Sequence, residues 1–475
     1  MKNIGLILIA ILLFSACEDI LEEHPKSIAS ETFYNTRAEV EAAVNAIYPP
    51  LHGGEFVSYF THLTPCADYV YGRGSIGSIN AYQGFNTTNI GNMRRVWDAL
   101  YLSIRNANLV IKHTPQGSNT TDGEKAQYIA EARFMRALDY FFLVRLWAGV
   151  PLRTEETMNE LDIPRSSVDD VYKLIIDDLK YAENNLPDSP RLLGTPSKWT
   201  AKTLFADVYL FREEWANARD KADEVIKSGK YSLVEVIIPD DFEKIYGADV
   251  LTTSEEIFYF KYNDESGWAL MNFFHHPSDG YKPYGSNWYS FYSTTDNYFY
   301  KNWDDNDFRK QHVYYSCDIG LGDNTLLFKK YIDPNGTVNA SNDWPIYRYA
   351  ELLLIYAEAA NNANNGPTEF AVECLNSVHR RAYGYNPESP SPVDFEIGDY
   401  DKDSFFELVF KERGYETLME SKRWLDLVRT GKAAEVIKET EGIDLDESMY
   451  LWPIPISETN YNKAIDPIQD QNPGY

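Results

Sequence analysis

Two stretches of helical periodicity, separated by a long stretch that has none, constrain this chain more than any other feature. Ala206, Tyr209 and Leu210, followed by Trp215, Ala216, Ala218, Ala222 and Val225, interleave small and large side chains. The small ones let two helices approach closely and the large ones fill the space left over, which predicts an antiparallel, tetratricopeptide-like helical hairpin. The pattern returns from Tyr347 to Asn361 and from Glu369 to Ala382, where Ala350, Leu353, Leu354, Ala357 and Ala360 precede Ala371, Leu375 and Val378. Between the two blocks, from about residue 231 to 345, Gly, Asn, Asp and aromatic residues dominate and the period disappears. The fold class is therefore mainly α: a helical framework over about 30–230 and 345–475, a loop-rich insertion over about 231–345, and few short strands.

Further stripes support the framework. Val40, Ala43, Val44 and Ile47 predict a helix that Pro49-Pro50 stops. Val96, Trp97, Leu100, Tyr101, Ile104, Ala107 and Ile111 predict a longer one over 94–112, and others follow at about 124–147 and 167–185. Residues 53–91, rich in Gly, Tyr and Ser, have no sustained period and read as a long loop with short strands, a kind of segment that is usually functional. After residue 399 helix resumes, and Leu451-Trp452-Pro453-Ile454-Pro455-Ile456, with alternate prolines, reads as an extended edge strand.

The N-terminus is organised differently. An apolar run from Ile4 to Phe14 follows Met1-Lys2-Asn3 and ends in Ser15-Ala16-Cys17, the layout of a secretory leader. The run is shorter than the roughly 20 residues a bilayer span needs. Small residues directly before a cysteine resemble a bacterial lipobox, with Phe14 where that motif usually has Leu. Residues 1–16 are then a signal peptide, Cys17 carries the lipid, and its acyl chains hold the protein at a membrane. Glu18 and Asp19 resemble the acidic signal that sends Bacteroidetes lipoproteins to the cell surface. A formal charge of −28 argues against nucleic acid as a partner. Four scattered cysteines, Cys17, Cys66, Cys317 and Cys374, offer neither a disulfide framework nor a zinc ribbon.

No signature of catalysis survives inspection. The glycines Gly72, Gly74 and Gly77 spell G-x-G-x-x-G, but no helical stripe follows the third, so they read as loop turns. Metalloprotease, P-loop and nucleophile-elbow sequences are missing. The acidic pairs Glu255-Glu256 and Asp304-Asp305 do not identify a glycosidase dyad. His275-His276 has no further ligand spacing. Asp304, Asp305, Asn306 and Asp307 carry oxygens of the kind calcium takes, without the glycine and distal glutamate of an EF-hand. The sequence thus names no cofactor and leaves a structural calcium ion open. Arg133, Arg136, Arg423 and Arg429, beside Glu131, Glu412 and Asp426, read as structural ion pairs.

Several segments, in order, resemble the SusD/RagB family of outer-membrane nutrient-binding lipoproteins. They are Trp97-Asp98-Ala99-Leu100-Tyr101 running to Ile104-Arg105-Asn106-Ala107-Asn108, then Ala130-Glu131-Ala132-Arg133-Phe134-Met135-Arg136-Ala137, then Leu146-Trp147-Ala148-Gly149-Val150-Pro151. Lys411-Glu412-Arg413, Lys422 to Arg429, Trp452-Pro453-Ile454-Pro455 and the terminal Gln471-Asn472-Pro473-Gly474-Tyr475 complete the set. The resemblance implies one SusD-like domain over 17–475, a non-enzymatic function, and a variable face that binds a glycan or, in some members, a peptide. It also implies a SusC-like TonB-dependent transporter as partner, with the lipid-anchored protein facing the cell exterior.

The chain has 35 Tyr and 10 Trp, and many fall in the irregular segments. Sugars present apolar C–H faces that stack on rings, while their hydroxyls need amide, carboxylate or guanidinium partners. The resemblance places the binding face on the loop before the Trp97 helix and on the insertion. The candidate ligand-binding residues are therefore Tyr71, Arg73, Tyr82, Trp268, Trp288, Tyr289 and Trp303. Against this stands the plainer reading that such rings fill a core where loops pack on helices. Peptide capture, a surface glycoside hydrolase and a scaffold that binds only proteins are the competing functions.

Overall fold

The computed structural model describes residues 33–263, 272–279, 281, 287–336 and 339–475. The leader, Cys17 and Trp268 lie outside these residues. Helices α1 (Arg37–Asn45), α2 (Val57–Leu63), α3 (Ile90–His113), α4 (Asp122–Trp147), α5 (Val168–Asn185), α6 (Lys198–Phe211) and α7 (Trp215–Ile226) form the first half of the framework. Starts are chemically marked. Thr36 with Glu39 and Thr121 with Glu124 make capping boxes that satisfy the first free amides of α1 and α4. From Tyr128 onward α4 is buried on nearly every side, with α3 and α5 packed against it.

The insertion is tied off at its root. Strand β2 (Glu256–Phe260) pairs antiparallel with β6 (Trp344–Arg348), Phe260 opposite Trp344 and Glu256 opposite Arg348, across two register irregularities. Because both ends of the insertion leave from one ribbon, α7 packs directly on the helix that follows it. A second sheet has the order β1 (Tyr71–Gly72), β3 (Phe291–Thr294), β5 (Thr325–Phe328), β4 (Tyr314–Ser316). Short helices α8 (Tyr298–Lys301) and α9 (Phe308–Val313) complete the lobe. The framework resumes with α10 (Tyr349–Ala363), α11 (Glu369–Ala382), α12 (Lys402–Glu416), α13 (Arg423–Arg429) and α14 (Ala433–Glu441). In α10 the side chains of Ala350, Leu354, Ala357 and Ala360 are fully buried between α7, α11 and α12. The chain is mainly helical with few short strands.

Two expectations need correction. Residues 53–91 are not one long loop: α2 lies within them, and every residue of α2 is buried, so it has no polar face and no stripe to read. Residues 452–455 are extended but are not a strand. Prolines at 453 and 455 leave Trp452 and Ile454 as the amide donors, and these go to the Leu146 carbonyl (2.7 Å) and the Gln471 side chain (2.7 Å). Trp147 meets Trp452 edge-on at 5.1 Å and donates to the Pro453 carbonyl (2.9 Å), while Asn472 donates to the Trp452 carbonyl (2.7 Å). Three of the segments that carry the family resemblance thus form one clasp on the end of α4.

Charge is also buried at the root of the insertion. Arg348 donates to Glu416 (2.5 Å) and Glu420 (2.9 Å), Arg381 pairs with Glu255 and Glu416, and Arg309 reaches Asp307 (2.6 Å) and Glu416 (3.0 Å). Burial alone would raise the Glu416 carboxyl, but the guanidiniums of Arg381, Arg348 and Arg309 overcome it and hold it well below the ordinary carboxylate range. Glu412 is pulled to about 2 in the same way, burial opposed by Arg309 and His379. The pairs Arg136–Asp178 (2.7 Å), Arg423–Asp68 (2.7 Å) and Arg429–Asp426 (2.7 Å) are buried too. These arginines are structural, as their sequence context predicts, although Arg136 and Arg423 use partners distant in sequence.

Candidate functional site

Two segments far apart in sequence meet through their backbones. β1 pairs antiparallel with β3, Tyr71 opposite Tyr292, and the Arg73 amide extends the ladder to the Ser290 carbonyl (2.7 Å). Opposed residues share a face of the sheet, and the Tyr71 and Tyr292 rings lie 5.5 Å apart. The Arg73 guanidinium lies 4.4 Å from the centre of the Tyr289 ring and donates to the Tyr289 carbonyl (3.2 Å). Tyr289 itself has a positive φ of 38°, which costs a non-glycine residue about 1–3 kcal/mol. The turn is held because the amides of Trp288 and Tyr289 both donate to the Asn272 carbonyl, at 2.5 and 3.1 Å. Trp288 stands out from that turn, 46% exposed, with Phe273 edge-on at 4.9 Å.

A third segment supplies carboxylates. The Tyr298 hydroxyl donates to Glu439 (2.8 Å) and the Tyr71 hydroxyl to Glu441 (3.3 Å), both near the end of α14. Asn297 caps α8 and its amide nitrogen donates to the Tyr71 oxygen (3.2 Å). Burial raises the Tyr71 phenol above its usual value, with the Asn297 bond opposing, and burial raises the Glu441 carboxyl, with the Tyr71 bond opposing. The result is a strip of aromatic rings flanked by one guanidinium and two carboxylates. Arg73 enters no ion pair among the described residues, so its charge faces the strip. Rings can take apolar C–H faces, and these polar groups can exchange hydrogen bonds with hydroxyls.

Tyr71, Arg73, Trp288 and Tyr289 are therefore brought together. Tyr82 and Trp303 are not, and the structure corrects their assignment. Tyr82 closes a 3₁₀ turn in the left-handed conformation, with its ring 1% exposed in the core. Trp303 is 2% exposed, stacked on Tyr415 at 4.2 Å, with its indole N–H given to Asp307 (2.8 Å). Neither ring has a face for a ligand. Trp268 lies outside the described residues. Sequence reasoning missed Asn297, Tyr298, Glu439 and Glu441; only long-range packing places the two glutamates here.

The other polar candidates have protein partners. The G-x-G-x-x-G glycines are not loop turns as expected: Gly72 ends β1, and Gly74, at φ +59°, opens a 3₁₀ helix over Gly74–Ala81 that contains Gly77, so no α-helix starts at the third glycine. Asp304 accepts from Tyr383 and Asn306, Asp305 from Lys310, and Asp307 from Arg309. Glu255 belongs to the buried charge cluster and Glu256 pairs with Lys261, which separates that acidic pair. His275 is buried on the Tyr331 carbonyl while His276 turns to Ser278. Among the described residues no group of three His, Cys, Asp or Glu side chains could hold a metal ion, and no helix is long and apolar enough to cross a membrane.

Two family models match the chain. One, described as starch-binding and associating with the outer membrane, covers residues 19–210, and the other, the SusD family, covers 274–475. The chain belongs to the SusD family. SusD-like protein P2 of Formosa agariphila is 29% identical over 521 residues, covering 100% of each chain. A SusD-like protein of Bacteroides ovatus is 31% identical over 266 residues, 53% of this chain and 46% of that one. Among solved structures, a SusD homologue from Bacteroides thetaiotaomicron superposes with a TM-score of 0.78 at 23% identity, covering 94% of this chain and 98% of that chain. A laminarin-binding SusD-like protein gives 0.74 at 23%, covering 93% and 100%, and surface glycan-binding protein A from Bacteroides fluxus gives 0.75 at 22%, covering 93% and 100%. These likenesses establish the SusD fold.

Proposed function

We propose that this SusD-family protein is a lipid-anchored binder of carbohydrate, held at the outer membrane through Cys17 with its ligand face toward the exterior, which passes its ligand to a SusC-like TonB-dependent transporter. The observation that carries the reading is the convergence of Tyr71, Arg73, Trp288 and Tyr289 on one strip beside Glu439 and Glu441. Laminarin- and glycan-binding neighbours of the same fold support it. The strip requires no bond-making chemistry and no cofactor, since stacking and hydrogen bonding suffice for reversible capture.

Affinity electrophoresis against plant, host and microbial polysaccharides, with peptides as competitors and a reducing-sugar assay alongside, tests it. Retention by a glycan without hydrolysis, lost on Trp288→Ala, is expected. Retention by peptide alone, or release of reducing sugar, would replace the reading.

A further inference from the structure

α8 carries Tyr298 of the aromatic strip at its start, and at its end Lys301 and Asn302 open into a separate cleft of about 540 Å³. That volume lies within the range of about 300–1,000 Å³ common for ligand pockets. Tyr415, stacked on the buried Trp303, lines its floor. On its wall, the rings of Tyr383 and Phe395 lie 4.7 and 4.4 Å from the His379 imidazole, and all three remain half-buried. Fixed polar groups stand among them: Asp304 accepts from the Tyr383 hydroxyl (3.0 Å), and Glu412 lies 3.4 Å from His379. Lys411 is exposed at the same cleft, its ammonium 5.6 Å from the Tyr415 ring, and it forms no ion pair among the described residues.

Partly open rings, anchored carboxylates and an uncommitted cation are the same chemistry as the strip, and Tyr298 of the strip stands four residues, about 6 Å of helix rise, from Asn302 of the cleft. We propose that the cleft is a second carbohydrate subsite, so that one polysaccharide chain lies across α8 with one segment on the Trp288–Tyr298 strip and another in the cleft. The proposal rests on the carbohydrate reading above and narrows it to polymers. Each site alone can be weak, because occupying the first makes binding at the second intramolecular, a gain that can reach 10²–10⁴-fold. Short oligosaccharides would occupy the strip and forgo that gain.

The test is calorimetry on the mature chain with laminarin, starch, xylan, pectic galactan and α-mannan, each beside short oligosaccharides of the same linkage. The variants are Tyr383→Ala and Lys411→Ala, with Trp288→Ala as the strip control and melting curves for all. The polysaccharide that binds is expected to lose roughly 10-fold or more in affinity with either cleft variant, while its short oligosaccharides bind as before. Should Tyr383→Ala not fold, Lys411→Ala, an exposed side chain, decides alone. Unchanged polymer affinity in a folded cleft variant overturns the subsite while the strip, read by Trp288→Ala, can still stand. Equal loss for polymer and short oligosaccharide also overturns it. If the wild-type chain binds no polysaccharide, the subsite and the carbohydrate reading fall together.

Discussion

At the root of the insertion, Arg348, Arg381 and Arg309 converge on Glu416 with every member of the group at most 3% exposed. Along β3, one guanidinium, several rings and two carboxylates face outward, with Trp288 46% exposed. The first region holds some of the residues by which the chain resembles its family, Glu412 among them, and its charges are consumed by one another. The second has no tight motif and leaves its groups available. Here recognisable motif marks what holds the fold, and the strip proposed as the ligand face is written in residues that motifs do not fix.

Removing Glu416 should give the largest effect. Glu416→Ala leaves three buried guanidiniums short of counter-charge, and such losses cost about 3–5 kcal/mol; urea denaturation is expected to show a drop of that size. If the midpoint hardly moves, the cluster is not what ties the insertion to α12. Two tryptophans sharpen the comparison next. Trp303→Ala removes a stacked, hydrogen-bonded core ring and should destabilise by about 3–5 kcal/mol. Trp288→Ala should change stability by under about 1 kcal/mol and lower glycan affinity roughly 10-fold, about 1.4 kcal/mol. Equal stability losses would mean that the exposed ring is core after all.

Acid acts with opposite sign on two sets of buried carboxyls. Glu412 titrates at about 2 in the fold and Glu416 lies well below its usual range, against about 4.3 for an unfolded glutamate. Their stabilisation is complete above about 4.3 and is lost as pH falls toward 2, so melting temperature should decline through that window. Asp139 behaves oppositely. It is fully buried in α4 and pairs with no cation among the described residues, and burial raises its carboxyl well above the ordinary value, with Ser103 opposing. The protonated form belongs to the fold, and stability drains as pH rises past about 3.9. Asp139→Asn should therefore stabilise the fold at pH 7, with the advantage gone near pH 4. A constant difference across pH would contradict the assignment.

The framework was legible because amphipathic helices write their burial into the sequence. Ala350, Leu354 and Ala357 are where the period puts them, and the predicted 369–382 helix matches α11 in both ends. α2 was not legible, because seven consecutive buried residues carry no contrast between faces. The same limit divided the candidate site. Trp288 and Trp303 each follow an Asn in a Tyr-containing stretch, but Tyr415, far along the chain, stacks on one, while among the described residues the other meets Phe273 edge-on. Tyr71 and Tyr289 were singled out from their aromatic-rich segments together with the family resemblance, whereas Glu439 and Glu441 reach the strip only because α14 packs where it does. Which rings meet water is a tertiary fact, and no local pattern encodes it.

The proposed role of the exposed strip is to capture carbohydrate without altering it. The direct measurement is calorimetric titration of the polysaccharide panel into the wild-type chain and a Tyr71→Ala/Trp288→Ala variant of equal melting temperature, with reducing ends counted afterward. One polysaccharide should bind the wild type, the variant should lose it, and no new reducing ends should appear. Undiminished binding by the variant, or growing reducing ends with wild type, would contradict it.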